Sequence, residues 1–87
     1  MIAKKSKIFI TGHKGLVGSS IFNLLKKKGY NNLVTIDKKK LNLLNTKKVN
    51  DFIKIKKIDI IINCAARVGG ILANSTYPVE FLYENIQ

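Results

Sequence analysis

Three glycines stand three residues apart in the segment ITGHKGLVG, directly after the apolar run KIFIT. The chain has only six glycines, and Gly12, Gly15 and Gly18 are half of them. Between a strand and a helix, the first glycine would let the backbone turn sharply, and the second would leave room for a pyrophosphate at the helix N-terminus. The third would let the helix pack closely on the strand. This spacing predicts a turn that holds the diphosphate of a dinucleotide.

The residues between the glycines share this predicted role. The amides of Lys14 to Val17 would point at the phosphates, whose charge the helix dipole favours. His13 either approaches the phosphates or is an exposed loop residue. The spacing differs from the G-x-G-x-x-G of the simplest fingerprint, so a glycine-rich turn without a ligand is the alternative. The predicted contacts in this turn are Gly12, His13, Lys14, Gly15, Leu16, Val17 and Gly18.

Opposite charges follow the second apolar run, NLVTID. Asp37 lies 19 residues after Gly18, where an acid typically binds the ribose hydroxyls and favours NAD. Lys38 to Lys40 follow at once, and a cation there can neutralise the 2′-phosphate of NADP. A turn-forming aspartate and a solvated lysine run are the alternatives. The two signals predict opposite cofactor preferences.

Small residues end the most apolar segment, IDIIINCAA. Ala65 and Ala66 either admit the adenosine side of a cofactor or serve tight packing of a helix on a strand. Cys64 is expected to be a small buried hydrophobe rather than a nucleophile. The cysteine and histidine spacing predicts no metal site.

Alternating strands and helices are predicted around these residues. KIFIT predicts a buried strand and NLVTID a second strand, and Gly15 to Lys28 predicts a helix that ends in lysines and Gly29. A second helix is expected after Asn45 or Thr46 as cap. Leu41 to Leu44 forms either an ordered loop or a short pairing strand. IDIIINCAA predicts a strand that is buried on both faces, as in a parallel sheet covered by helices.

A last helix is expected from near Pro78, because proline is favoured at the first helical position. Its apolar face would comprise Val79, Leu82, Tyr83 and Ile86. The pattern stops at Gln87 without a cap, so we expect a truncated chain. The predicted fold class is α/β: residues 1–87 form the N-terminal, incomplete part of a doubly wound parallel-sheet (Rossmann) NAD(P)-binding domain.

Composition limits the class of protein further. The chain has 87 residues and a net charge of +11, but only one arginine, Arg67. Scattered lysine runs favour solvated faces, although a nucleic-acid-binding module remains an alternative. The single cysteine excludes an internal disulfide and favours a reducing compartment. No apolar run approaches the roughly 20 residues that span a membrane, so we expect a cytoplasmic protein without a membrane or nucleic-acid partner.

Three segments carry a more specific signal: KIFITGHKGLVGSSI, LNLLN and AARVGGILANSTYPVEFLYENI. They resemble the N-terminal part of the GDP-L-fucose synthase family, NADP-dependent epimerase–reductases among the extended short-chain dehydrogenases. The resemblance runs without gaps from about Lys7 to Gln87, and the third segment is the most specific. It implies a larger Rossmann sheet, a smaller substrate domain beyond residue 87, a homodimer, and a nucleotide-sugar substrate, GDP-4-keto-6-deoxymannose.

The resemblance also implies cofactor contacts. KLNLL would hold a short strand, and the 2′-phosphate region of NADP would lie against residues 38–43, with Lys38, Leu41, Asn42 and Leu43 as contacts. Family members usually carry arginine where this chain has Lys14 and Lys38, and Thr-Arg where it has Asp37–Lys38. The two lysines supply positive charge where a third phosphate would sit. They favour NADP, with NAD possible because of Asp37.

The catalytic residues of the family are not found in this chain. The family uses a Ser, a Tyr and a Lys for reduction, and a Cys and a His for the epimerisations. Tyr30, Tyr77 and Tyr83 lack a lysine four residues later, and Cys64 does not match the family's catalytic cysteine. We therefore expect a cofactor cradle that is catalytically silent alone. The alternative within the same superfamily is an NAD-dependent nucleotide-sugar epimerase or dehydratase.

Overall fold

The sheet of this protein is parallel throughout the part of the chain that its computed structural model describes, residues 3–37, 39–65 and, for the backbone alone, 80–84. The elements follow in the order β1 (Ile8–Thr11), α1 (Leu16–Lys27), β2 (Leu33–Val34), α2 (Thr46–Lys56), β3 (Ile60–Asn63) and β4 (Glu80–Glu84). The strands pair in the order β2-β1-β3-β4. This alternation of helices with parallel strands confirms the predicted α/β, Rossmann-like fold class.

Both faces of the sheet are covered, because successive residues of a strand point to opposite sides. One face carries Ile8 and Ile10, and helix α1 packs on it. The cluster on that face contains Ile8, Ile10, Ile60, Ile62 and Cys64, with Ile21, Phe22 and Leu25 of α1 against it. The opposite face carries Phe9 and Ile61, which pack with Val49 and Ile53 of α2. Burial on both faces explains the uninterrupted apolar run of β3.

Helix α1 begins and ends close to its predicted bounds, and α2 begins at one of its two predicted caps. Gly15 is the N-cap of α1, and Gly29, with φ of +95°, follows its C-cap Lys28. The side chain of Asn45 accepts a hydrogen bond of 3.1 Å from the amide of Lys48 and so caps α2, as predicted. Neither helix in the described ranges has the length and apolar composition needed to cross a membrane.

The region after β2 is less regular than the sequence predicts. β2 pairs only with Ile8 and Phe9 of β1, because the chain soon turns: the carbonyl of Asp37 accepts from the amides of Lys40 and Leu41 at 2.8 and 3.2 Å. Residues 41–44 form a loop, so the short strand implied by the family resemblance is absent there. Leu41 anchors this loop in the core on the α2 face.

The helix predicted from near Pro78 is wrong for the part that the structure describes. Glu80–Glu84 forms β4, which pairs in parallel with β3; Pro78 itself, Val79 and Ile86 lie outside the described residues. Pairing satisfies backbone N–H and C=O groups on the outer edge of β3, which a helix could not do. Here pairing with a distant strand outweighs the helical spacing of the apolar residues.

The topology determines where a ligand can bind. β1 lies between β2 and β3, so the chain proceeds from β1 to one side and then crosses to the other. In the register, Thr11 at the end of β1 lies opposite Asn63 at the end of β3. Open parallel sheets bind ligands at this point of reversal, outside the carboxyl ends of the strands.

Candidate dinucleotide-binding site

A cavity of about 430 Å³ opens at the carboxyl ends of β1 and β3. This volume lies within the range of small-molecule sites, about 300–1,000 Å³. The lining comprises Phe9, Thr11, Gly12, His13, Lys14, Gly15, Ile36, Asp37, Lys39, Leu43, Cys64 and Ala65. The glycine turn, the segment after β2 and the end of β3 therefore meet around one space, as the sequence predicts.

Two of the three glycines are required by the fold itself. Gly12 has φ of +69°, and a Cβ there would lie 2.8 Å from backbone atoms of Cys64 and Ala65. A Cβ on Gly18 would lie 2.0 Å from the carbonyl oxygen of Gly12. Gly12 thus allows the turn to approach β3, and Gly18 allows α1 to pack on the turn.

Gly15 differs from the other two. Its backbone is extended, with φ of −77° and ψ of 169°, a conformation open to any residue. Among the described residues, a Cβ at Gly15 would contact only the carbonyl oxygen of Gly12, at 3.3 Å. Because Gly15 lines the cavity, the space that its missing side chain leaves is available to a ligand.

The N-terminus of α1 lies at this cavity without a side-chain cap. Gly15 makes no side-chain cap hydrogen bond, and the first turn contains no acid. The amide of Gly15 donates to the carbonyl of Gly12 at 3.0 Å, so that amide is not available to a phosphate. Leu16 is 86% exposed and Val17 44% exposed, and neither lines the cavity. Their predicted contribution would therefore come from backbone amides, which first helical turns leave unpaired.

The opposite charges predicted near the ribose are in direct contact. Lys14 Nζ lies 2.7 Å from Asp37 Oδ2, and the amide of Lys39 donates to Asp37 Oδ1 at 3.2 Å. The Lys14 hydrogen bond, followed by that from Lys39, holds the pKa of the Asp37 carboxyl below its usual value. Asp37 is thus both the turn-forming residue and an ionised group at the cavity. Lys38 lies outside the described residues.

A buried polar network joins the ends of β1 and β3. The hydroxyl of Thr11 donates to Asn63 Oδ1 and accepts from the amides of Cys64 and Ala65 at 3.1 and 3.3 Å. Asn63 Oδ1 also accepts from the Ala65 amide, at 3.2 Å. These bonds position the Cys64–Ala65 backbone against Gly12. Sequence reasoning missed Thr11 and Asn63, although polar residues ending two neighbouring apolar strands were a usable signal.

The remaining predicted contacts divide between cavity and core. His13 and Ala65 are half-buried and line the cavity, as does Leu43. Leu41 lies in the core instead, and Asn42 accepts from the amide of Leu44 at 2.9 Å. Ala66 lies outside the described residues.

Cys64 and the apolar side chains Phe9 and Ile36 were not predicted to line the cavity. Burial raises the pKa of the Cys64 thiol, which fits a neutral buried side chain better than a nucleophile. Among the described residues, no three His, Cys, Asp or Glu side chains are grouped as a metal site would require.

Similar proteins share this chain's sequence and fold. The family model described as the NAD dependent epimerase/dehydratase family matches residues 8–87. The GDP-L-fucose synthase of Escherichia coli (strain K12) is 45% identical over 82 residues, which are 94% of this chain and 26% of that protein. GDP-L-fucose synthase 1 of Arabidopsis thaliana is 44% identical over 87 residues, which are 100% of this chain and 27% of that protein. The chain therefore spans about a quarter of the length of these curated relatives.

A solved structure extends the likeness to the fold. MlghC, a GDP-mannoheptose C4 reductase from Campylobacter jejuni with NADP bound, matches with a TM-score of 0.73 and 36% identity. The match covers 85% of this chain and 23% of that one. These similarities confirm the resemblance to GDP-L-fucose synthases. They do not favour the two alternatives, an NAD-dependent nucleotide-sugar epimerase or dehydratase and a nucleic-acid-binding module. With its glycine turn at the reversal point of a parallel sheet, and a model match from residue 8 to residue 87, the chain belongs to the NAD dependent epimerase/dehydratase family.

Proposed function

We propose that this chain is the NADP-binding part of a cytoplasmic GDP-L-fucose synthase, which epimerises and reduces GDP-4-keto-6-deoxymannose to GDP-L-fucose. Curated relatives at 45% and 44% identity bear that name. The observation that carries the proposal is the space beside Gly15. The backbone conformation of Gly15 is open to any residue, so glycine is not needed there for the turn. Its missing side chain leaves free space in the cavity at the end of the parallel sheet.

The residues around this space suit a dinucleotide. A diphosphate beside Gly15 would face the uncapped N-terminus of α1, where the helix dipole favours negative charge. The adenosine side would lie against Ala65, whose small side chain and hydrogen-bonded backbone leave the cavity open. When bound, NADPH supplies the hydride that reduces the keto group of the sugar.

NADP is the preferred cofactor in this proposal. Lys14 lines the cavity and carries the positive charge that a 2′-phosphate requires. Lys38 is the second predicted cation. The solved relative MlghC holds NADP, which supports the same preference.

The chain's own residues bind and orient the cofactor in this proposal and carry out no proton transfer. No catalytic residue is assigned to the chain, so the proposal places the catalytic groups and the substrate domain in the family's remaining sequence. The purified chain is therefore expected to bind NADPH without forming GDP-L-fucose. Turnover clearly above background would contradict this division of roles.

A fluorescence titration with NADPH tests the proposed binding site. We expect saturable binding by the wild-type chain and an affinity at least about tenfold weaker for Gly15→Ala, because the added methyl group would occupy space meant for the diphosphate, a loss of about 1.4 kcal/mol. Ser20→Ala is the matched control, since Ser20 is exposed on α1 and does not line the cavity. Failure of the folded chain to bind either NADPH or NADH, or equal binding by Gly15→Ala, would refute the proposal.

A further inference from the structure

The ion pair between Lys14 and Asp37 joins two groups with opposite cofactor preferences at the cavity. We propose that this pair sets the choice between NAD and NADP, because Asp37 competes with a 2′-phosphate for the ammonium group of Lys14. The inference rests on the proposed binding of a dinucleotide in the cavity. It goes further in assigning the selectivity to the pair rather than to either residue alone.

The geometry makes Asp37 the fixed partner and Lys14 the movable one. Asp37 Oδ1 accepts from the Lys39 amide, and the Asp37 carbonyl accepts from the amides of Lys40 and Leu41. These bonds hold the carboxylate in the turn after β2. The Lys14 side chain is 71% exposed, against 34% for Asp37, and its ammonium group donates to Asp37 Oδ2 at 2.7 Å. A lysine on a flexible stem can exchange one anion for another without moving the backbone.

The two cofactors affect this pair differently. A 2′-phosphate carries up to two negative charges, so beside Asp37 it meets a like charge, and it gains Lys14 only as Lys14 turns away from Oδ2. NAD has a ribose hydroxyl at that position. The hydroxyl can donate to Asp37, since an ionised carboxylate accepts several hydrogen bonds. The pair then stays intact, and the wild-type chain is expected to prefer NADPH over NADH by no more than about tenfold.

Removing the charge of Asp37 and removing that of Lys14 should shift the selectivity between NADPH and NADH in opposite directions. Asp37→Asn frees Lys14 and should raise the ratio of NADPH to NADH affinity about tenfold. Lys14→Gln should lower that ratio by a similar factor, whereas Lys14→Arg should retain it. If Asp37 acts through Lys14, Asp37→Asn should have a much smaller effect on the ratio when Lys14 is already replaced by glutamine.

The experiment is a double-mutant cycle on the purified chain, titrated with NADPH and with NADH near 0.15 M salt. Lys47→Gln is the matched control. It removes the same charge from a second ion pair, Lys47–Asp51 on α2, at 2.9 Å and away from the cavity, and should leave the ratio unchanged. Circular dichroism of each variant verifies folding.

Different outcomes separate this inference from the proposed function. If both cofactors bind but Asp37→Asn leaves their ratio within about twofold of wild type, the pair does not set selectivity, while dinucleotide binding stands. An equal effect of Asp37→Asn with and without Lys14 would show that Asp37 acts independently, which also overturns the inference. If neither cofactor binds the folded wild-type chain, the proposed function fails and this inference fails with it.

Discussion

Replacing Gly18 by alanine is expected to destabilise the protein strongly, because the new Cβ has no room. It would lie 2.0 Å from the carbonyl oxygen and 2.6 Å from the carbonyl carbon of Gly12. Ordinary contact begins at 3.4 Å, so α1 and the turn would have to separate by about 1.4 Å (3.4 minus 2.0). The turn cannot yield easily, since Gly12 already lies against the backbone of Cys64 and Ala65.

The magnitude follows from two opposing effects. Overpacking a well-packed site costs about 1–3 kcal/mol, and more when backbone must shift. Alanine in a helix interior is about 1 kcal/mol more stabilising than glycine, which offsets part of this cost. A clash with backbone atoms belongs at the upper end of that range, so we expect a net loss of about 2 kcal/mol, which corresponds to a fall in Tm of about 8–16 °C for a chain of this size.

Gly15→Ala provides the internal control for stability. Its Cβ would lie 3.3 Å from the Gly12 oxygen, which requires a shift of only a few tenths of an ångström. Alanine is a slightly poorer N-cap than glycine, which lowers stability, but it also reduces the conformational entropy of the unfolded chain, which raises stability. The free energy of unfolding should therefore change by less than about 1 kcal/mol. Urea and thermal unfolding, followed by far-ultraviolet circular dichroism, measure both variants. Equal stability of Gly18→Ala and wild type, or equal loss in the two variants, would refute the separate roles assigned to these glycines.

Three further predictions concern the polar and titratable groups at the cavity. Thr11→Val should lower the free energy of unfolding by about 1 kcal/mol, because the buried Asn63 Oδ1 and the amides of Cys64 and Ala65 each lose a hydrogen bond to the hydroxyl; Thr11→Ser should restore most of this in urea unfolding. Burial raises the pKa of the Cys64 thiol above its ordinary 9.0, so alkylation by iodoacetamide should be slow at neutral pH, accelerate above pH 9 and slow again when NADPH fills the cavity. Fast, NADPH-insensitive alkylation at pH 7 would contradict the burial and the cavity assignment. The pKa of Asp37 is lowered from 3.8, so its stabilising contribution is present above that pH and lost as pH falls through the native value; acid titration of stability should show this loss in wild type but not in Asp37→Asn.

Local spacing was sufficient for much of the fold and part of the site. The glycine turn could be predicted because Gly12, Gly15 and Gly18 lie between an apolar run and a helical pattern, all within a few residues. Asn45 as cap of α2 is also a local signal. Gly18 is needed for close packing of α1, as predicted, but a Cβ there would meet Gly12 of the turn, at 2.0 Å from its oxygen, rather than the strand. The ligand role of Gly15 stays a prediction.

The features that the sequence did not predict all depend on residues that are far apart in the chain. β4 forms where local spacing favours a helix, because the edge of β3, some 20 residues earlier in the register, offers unpaired backbone groups. The hydrogen bond between Thr11 and Asn63 depends on strand register and joins residues 52 apart. The pairing of Lys14 with Asp37 depends on where a long side chain meets a turn 23 residues away. Sequence indicated both charges but not that they neutralise each other.

The bond between Thr11 and Asn63 has a consequence for how the site comes into being. Because it spans 52 residues, the cavity lacks the side formed by Cys64 and Ala65 until β3 has left the ribosome and docked beside β1. A dinucleotide that fills it would bind the assembled sheet and not the nascent or unfolded chain. By mass action, about 100-fold excess over its dissociation constant would add about 2.7 kcal/mol to global stability. In the cell, the cofactor would then act as a folding ligand for this chain as well as a hydride source.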